Sequence, residues 1–371
     1  MDDVISKNMD IMIRKATFEK PNGWQFKIRN YKRVKEILLG AQAEIENAQD
    51  NIKTVEDAIE FYTDLFKTNG YKNPTKIIKK VRELYTIYFT RRSSSHGSRD
   101  RGGGNKQELY ENIVLEEAHE FHNSDAAKAT ETFGRIYGVG PAKIKTLVEK
   151  KIYTIEKLRE EVAKNLKLLN NKQKMGLRNY EDLNERIPRK EITQFRKIIE
   201  RLLKQKFGND IQMTIAGSYR RGVATSGDID MLISSRKYET RALGYVLELL
   251  NSTGMINETL AKGFKKFMGI IRIGETGKAR HLDIVETTPE DYPFAILYFT
   301  GSAKHNVHMR AHALKLGYSL NEYDMTLKGT KTRVPPETVK AKIGKPVFEN
   351  EEDIFEFLDL TYKEPKKRIK L

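Results

Sequence analysis

The stretch Gly217-Ser218-Tyr219-Arg220-Arg221-Gly222, followed by Gly227-Asp228-Ile229-Asp230-Met231-Leu232-Ile233, joins a glycine-serine turn to two carboxylates on an apolar strand. Side chains alternate along a strand, so Asp228 and Asp230 project to one side while Ile229, Met231 and Ile233 pack on the other. Like charges held so close repel unless a cation lies between them, and Mg²⁺ takes a few protein oxygens before filling its octahedron with water and phosphate. Upstream, Gly217-Ser218 offers backbone N–H groups and a hydroxyl to polyphosphate oxygens, and Arg221 offers a fork of donors. A D-x-D pair alone also occurs in sugar-nucleotide transferases and in plain turns. Turn, arginine and paired carboxylates together describe a nucleotide triphosphate site.

A third carboxylate, Asp283, lies in Ala279-Arg280-His281-Leu282-Asp283-Ile284-Val285, a second alternating run with His281, Asp283 and Val285 on one face. Alone it reads equally as an exposed strand residue. If its strand neighbours the first, three carboxylates converge. Two divalent ions about 3.5 to 4 Å apart could then activate a 3′-hydroxyl and stabilise a pyrophosphate leaving group.

Outward from these strands, the period changes. From residue 211, IQMTIAG, DIDMLIS, FKKFMGIIRI, RHLDIVE and FAILYF read as strands, separated by turns and by the helix RALGYVLELLN. Before them the chain reads as helices. YKRVKEILLGAQAEI, TVEDAIEFYTDLF and TKIIKKVRELYTIYF carry apolar residues at spacings of three and four, as does KQELYENIVLEEAHEF. Between the helical blocks, RRSSSHGSRDRGGGNK at 91–106 has no hydrophobic residue and reads as a tether. Gly138-Val139-Gly140-Pro141, ahead of AKIKTLVEK, lets the backbone approach a phosphate beside a helix N-terminus. Near the carboxy-terminus, Val307, Ala311 and Leu314 give a helix an apolar stripe, leaving Asn306 and Arg310 together on a face suited to minor-groove acceptors.

Composition agrees with a polyanion partner. The 371 residues hold 67 Lys+Arg against 51 Asp+Glu, a formal charge of +16. Each phosphate neutralised releases counterions; a lysine-rich solubilising surface is the plain alternative. The absence of cysteine excludes disulfides, thiolate metal sites and a Cys nucleophile. No apolar run approaches the roughly 18 residues that span a bilayer, and MDDVISKNMD has no continuous signal core. The expectation is a protein neither secreted nor membrane-embedded.

GSYRRGVATSGDIDMLI, RHLDI, LYFTGSAKHNVHMRAHALKLGYSLNEY and YKEPKKR together resemble the family X DNA polymerases of the polymerase beta type, continuously from about residue 130 to the end. The resemblance implies an α+β multi-domain fold. Its parts would be an amino-terminal extension (1–25), a helical lyase-like domain (26–90), a Gly/Ser/Arg tether with an extra helix (91–124) and a helix-hairpin-helix subdomain (125–188). A nucleotidyltransferase palm with a mixed sheet (189–290) and an α/β nucleotide-binding subdomain (291–371) would follow. It implies Asp228, Asp230 and Asp283 as ligands of two Mg²⁺ ions, with Mn²⁺ as the alternative. Asp283 would take the proton of the primer 3′-hydroxyl. Ser218, Arg221, Ser226, Gly227 and Arg186 fall on triphosphate-binding positions; Tyr298, Phe299 and Gly301 on the segment lining the nucleotide sugar; Asn306 and Arg310 on minor-groove contacts. Gly301-Ser302 is where the family has a cis peptide. Gly138 and Gly140 would grip the primer backbone with a monovalent cation.

Lys27, Tyr31 and Lys76 resemble DNA contacts of the lyase domain, and Lys80 its Schiff-base nucleophile, its pKa depressed by neighbouring ammonium groups. The implied function is a DNA-directed polymerase filling short gaps in base excision repair, with 5′-deoxyribose phosphate lyase activity. Its substrates would be gapped or nicked DNA and a dNTP, its state a monomer. Its compartment would be intracellular and reducing: the nucleus in a cellular eukaryote, the cytoplasm otherwise. A template-independent nucleotidyltransferase and a catalytically silent DNA-binding scaffold are the alternatives. The sequence departs from the family pattern at His281 and Ala303, where an arginine and an aspartate are usual, at Lys72-Asn73-Pro74 and in the long tether. No further interaction domain is expected ahead of the helical one.

Overall fold

The structure is a computed structural model that describes residues 1–20, 23–95, 113–239, 241–274 and 277–368. It divides into two units, Met1–Leu177 and Arg178–Leu371. Among the described residues no helix is long and apolar enough to cross a membrane.

Among the described residues the first unit is built of helices and has no strand. Its elements are α1 (Asp2–Glu19), α2 (Trp24–Gly40), α3 (Gln42–Ala48), α4 (Val55–Thr68), α5 (Thr75–Ser95), α6 (Glu116–Asn123), α7 (Asp125–Gly134), α8 (Pro141–Glu149), α9 (Ile155–Lys164) and α10 (Asn171–Arg178). Residues 1–25, expected to be an extension, instead supply α1. Its Ile5, Met9, Met12 and Ala16 recur at helical spacing and are buried, the first three in one core with Val34, Tyr62, Val81 and Leu84.

The expected helix from residue 106 also differs. Residues 106–112 and most of the tether lie outside the described residues, and Ile113-Val114-Leu115 runs extended before α6 begins. The cause is Asn8, fully buried, whose amide donates to Ile113 O (2.8 Å) while its Oδ1 accepts from Leu115 N (2.9 Å). These bonds satisfy the extended backbone while all three side chains enter the core. Farther on, α7 and α8 form the expected hairpin, with Gly138 left-handed (φ +78°) and Gly140 capping α8.

The second unit opens with α11 (Tyr180–Asn184), β1 (Ile187–Pro188) and α12 (Arg189–Phe207), then β2 (Gln212–Ile215), α13 (Gly217–Arg220), β3 (Thr225–Ser226) and β4 (Ile229–Ser234). It continues with α14 (Ala242–Ser252), β5 (Ile256–Lys262), β6 (Lys266–Ile271) and β7 (Arg280–Thr287). The sheet order is β2-β4-β7-β6-β5, with β4 and β7 parallel and the other pairs antiparallel. Ile229, Met231, Ile233, Leu282 and Ile284 pack on one face against Phe195 and Ile199 of α12 and Val246 and Leu250 of α14.

The last part comprises α15 (Tyr292–Thr300), α16 (Ala303–Lys315), β8 (Tyr318–Leu320), β9 (Met325–Leu327), α17 (Pro336–Ile343) and α18 (Glu351–Phe357) around a third core. FAILYF, expected as a strand, lies within α15. Pro293 stands in its first turn, and burial on nearly all sides erases the periodicity that separates helix from strand. The buried face of α16 is His305, Met309 and Ala313 instead of Val307, Ala311 and Leu314, of which Leu314 is 43% exposed. A histidine and a methionine thus take the seam that hydrophobicity alone assigns elsewhere.

Candidate active site

Parallel pairing sets Asp230 of β4 directly against Asp283 of β7. Both side chains leave the sheet on the face opposite Ile229 and Met231, while Asp228 sits exposed just before β4. Burial, then the charges of Asp228 and Asp283, pushes the Asp230 carboxyl up to about 7, with Arg221 and Lys266 opposing. Asp283 is also raised, first by burial; Lys266 (3.6 Å) and His281 (3.9 Å) counter it.

Among the described residues no three His, Cys, Asp or Glu side chains enclose one ion by themselves. The three carboxylates nevertheless act on one another electrostatically, and Asp283 is flanked as well by Lys266 and His281. Yet Asp283 Oδ1 is buried without a hydrogen-bond partner, an expensive state for an anion. Burial, then the neighbouring acids, hold Asp230 far above the ordinary carboxylate range. These groups fit divalent cations that bring further oxygens as water or phosphate.

Gly217 makes the Asp230 position attainable. It stands at φ +52°, and a Cβ there would collide with Asp230 Oδ2. Gly217→Ala is expected to displace that carboxylate and, if the site adds nucleotides as the family resemblance implies, to lower that addition by at least about a hundredfold. Single-turnover extension would measure it; near wild-type turnover would show that the carboxylate tolerates the shift.

The residues expected to bind phosphate come from α13, the residue after it and the β1–β3 ribbon with its flanks. Arg221 acts electrostatically on Asp230 and Asp228, and its Nη1 donates to Thr300 O (2.6 Å). Arg186 donates to Thr225 Oγ1 (3.1 Å) and Thr225 O (2.5 Å), lying along the β1–β3 ribbon that carries Ser226 and Gly227. Gly227 is exposed, whereas Ser226 is 1% exposed and turned inward, so its hydroxyl is not offered to a ligand. Ser218 is half-buried in α13.

The Gly301-Ser302 peptide is cis, and Ser302 caps α16. Asn306 donates to Tyr298 O (2.7 Å), and Tyr298, Asn306 and Arg310 line one small cleft; Phe299 packs its ring at 80° to that of Tyr298.

A network that sequence reading did not find braces this region. Arg220 donates to Glu351 through both terminal nitrogens (2.7 and 3.1 Å) and to Thr300 Oγ1 (2.8 Å). Fully buried Arg368 donates to the same carboxylate (3.0 Å). Burial alone would raise Glu351, but the two guanidinium groups hold it below the ordinary range. Only the adjacency of Arg220 to Arg221 hinted at it. Glu351→Gln leaves two cations unpaired and is expected to cost about 3–5 kcal/mol, read as a lowered thermal midpoint by circular dichroism.

In the first unit, Lys80 lies 6.0 Å from the Tyr31 ring centre and is ion-paired with Glu117 of α6. Burial, ahead of Lys27 and Lys15, lowers it to about 8 against the pull of Glu83. Burial is thus the main cause, where neighbouring ammonium groups were expected. Lys27 is exposed, Tyr31 buried, and Lys76 is exposed one turn before Lys80.

Family models match three successive segments: the fingers domain of DNA polymerase lambda over 131–184, the DNA polymerase beta palm over 186–289 and the DNA polymerase beta thumb over 295–369. DNA polymerase lambda of Rattus norvegicus is 30% identical over 67% of this chain and 43% of its own length. DNA-directed DNA/RNA polymerase mu of Homo sapiens is 26% identical over 71% of this chain and 56% of its own. The chain thus spans about half the length of the curated relatives it matches. A crystal structure of Leishmania infantum polymerase beta in a ternary gap complex is 27% identical, covers 68% of this chain and 95% of its own, and superposes with a TM-score of 0.58. With fingers, palm and thumb segments in succession, and the two aspartates in register on parallel strands, this chain belongs to family X of the DNA polymerases.

Proposed function

We propose that this chain is a DNA-directed DNA polymerase that fills short gaps during repair. The Asp230–Asp283 register carries the reading, because it sets carboxylates of two adjacent strands side by side, with Arg221 acting on Asp230 and Asp228. The substrates proposed are a dNTP and gapped DNA.

In the proposed reaction the primer 3′-oxygen bonds to the α-phosphorus and the α–β bridging bond breaks, releasing pyrophosphate. Asp283 takes the hydroxyl proton; its unpartnered Oδ1 and raised pKa suit a general base. Arg221, Arg186, Ser218 and the Gly227 backbone hold the triphosphate oxygens, the arginines by charge and the backbone by N–H donation. DNA polymerases of this family need divalent metal ions; here Asp228, Asp230 and Asp283 would hold them, supplying Lewis-acid stabilisation of the phosphoryl charge. Tyr298, Phe299 and Gly301 line the nucleotide sugar, and Asn306 and Arg310 reach minor-groove acceptors. Gly138 and Gly140 contact the primer backbone through amides at the start of α8.

The second activity proposed is removal of a 5′-deoxyribose phosphate. The neutral Lys80 amine attacks the sugar aldehyde and expels water to form a Schiff base; loss of a C2′ proton then breaks the C3′–O bond to the DNA phosphate, and water hydrolyses the imine to free the sugar and restore the amine. Lys27, Tyr31 and Lys76 hold the DNA end.

Extension across a one-nucleotide gap tests the main reading. Addition of the complementary nucleotide in preference to the other three is expected. Equal use of all four would point to template-independent transfer, and no turnover to a scaffold.

A further inference from the structure

We propose that the outer face of α12 is a second binding surface for duplex DNA, on the side of the sheet away from the carboxylates. Ile192, Phe195, Ile199, Leu203 and Phe207 bury one stripe of this helix. Diametrically opposite run Lys190, Gln194, Lys197, Arg201 and Lys204, all exposed and within about 80° of arc on a helix of 3.6 residues per turn. They span about 21 Å at 1.5 Å per residue. The two carboxylates of the helix are engaged elsewhere: Glu191 with Arg280 (2.7 Å) and Glu200 with Arg196 (3.3 Å). Among the described residues, no ion pair joins the four stripe cations to an acid.

The sheet fixes where this stripe faces. The buried stripe of α12 packs on Ile229, Met231 and Leu282, whose side chains alternate with Asp230 and Asp283. The exposed stripe is therefore separated from the carboxylates by the sheet and a helix diameter of about 10–12 Å. A primer terminus at Asp283 cannot lie on it. Its occupant is a second, separate duplex.

Charge and polarity select that occupant. A helix lying on a membrane keeps its apolar face for lipid, and here that face is inside the core. Protein interfaces centre on an apolar patch, and no α12 residue is among the exposed large hydrophobics. A straight row of cations with an amide between them matches regularly spaced phosphates. The net charge of +16 points the same way.

The test is binding of a blunt duplex of about 30 base pairs, followed by fluorescence anisotropy between about 50 and 300 mM KCl. In K197Q/R201Q/K204Q the slope of log affinity against log salt is expected to flatten by about 2 to 3, one ion per lost contact. At low salt the wild type should bind two duplexes and the variant one. Gap filling should be unchanged, since none of the three touches the nucleotide site. A control of equal charge, K328Q/K331Q/K340Q, should keep the wild-type slope and stoichiometry. Equal flattening in both variants, or a loss confined to anionic vesicles or polyglutamate, would overturn the proposal. The assay needs no turnover, so it stands apart from the polymerase reading.

Discussion

Asp230→Ala is expected to lower nucleotide addition by about 10³-fold or more, roughly 4 kcal/mol in the barrier. Asp230 is buried beside two further acids and pushed up to about 7. A protein bears that repulsion where a cation relieves it in the working state. Alanine removes an anion and no phosphate contact, so affinity for gapped DNA should stay within about threefold. Single-turnover extension together with binding by anisotropy separates the two quantities. Equal losses in both would mean that Asp230 holds the fold or the DNA.

Lys80→Ala is expected to remove most of the borohydride-trapped adduct with an abasic 5′-end, by about tenfold or more. Burial lowers this lysine to about 8, and the neutral amine is the nucleophile. Trapping should therefore rise through neutral pH, about tenfold per unit while the ammonium dominates, and level off above pH 8. The charged groups acting on it are Glu83 on its own helix, Lys15 and Lys27 on α1 and α2, and Glu117 on α6. Glu117 favours the ammonium, so Glu117→Gln should move the plateau to lower pH. An adduct that persists in Lys80→Ala would move the nucleophile to Lys76.

The catalytic strands were legible because alternation is a local property. Ile229, Met231 and Ile233 announce a buried face, and Asp228 and Asp230 stand out against it. The pairing of β4 with β7 was readable only as a condition, since strand adjacency depends on contacts far apart in sequence. The pairing of Lys266 with Asp283 was not readable at all: it comes from β6, which runs antiparallel beside β7.

Tertiary context also overruled local pattern in FAILYF, whose burial on both sides erased its period, and in α16, where His305 and Met309 took the seam. Asn8 could not be foreseen as the anchor of Ile113-Val114-Leu115, because its bonds reach more than a hundred residues along the chain. The Arg220–Glu351 pair was hidden for the same reason.

The central claim is that Asp228, Asp230 and Asp283 act together on divalent ions against a nucleotide. Electron paramagnetic resonance titration of Mn²⁺ with a non-hydrolysable dNTP tests it most directly. Tight ion binding should appear with the nucleotide and be lost in Asp230→Asn and Asp283→Asn while the circular dichroism spectra stay unchanged. Tight binding that survives both substitutions would place the ions elsewhere and contradict the account.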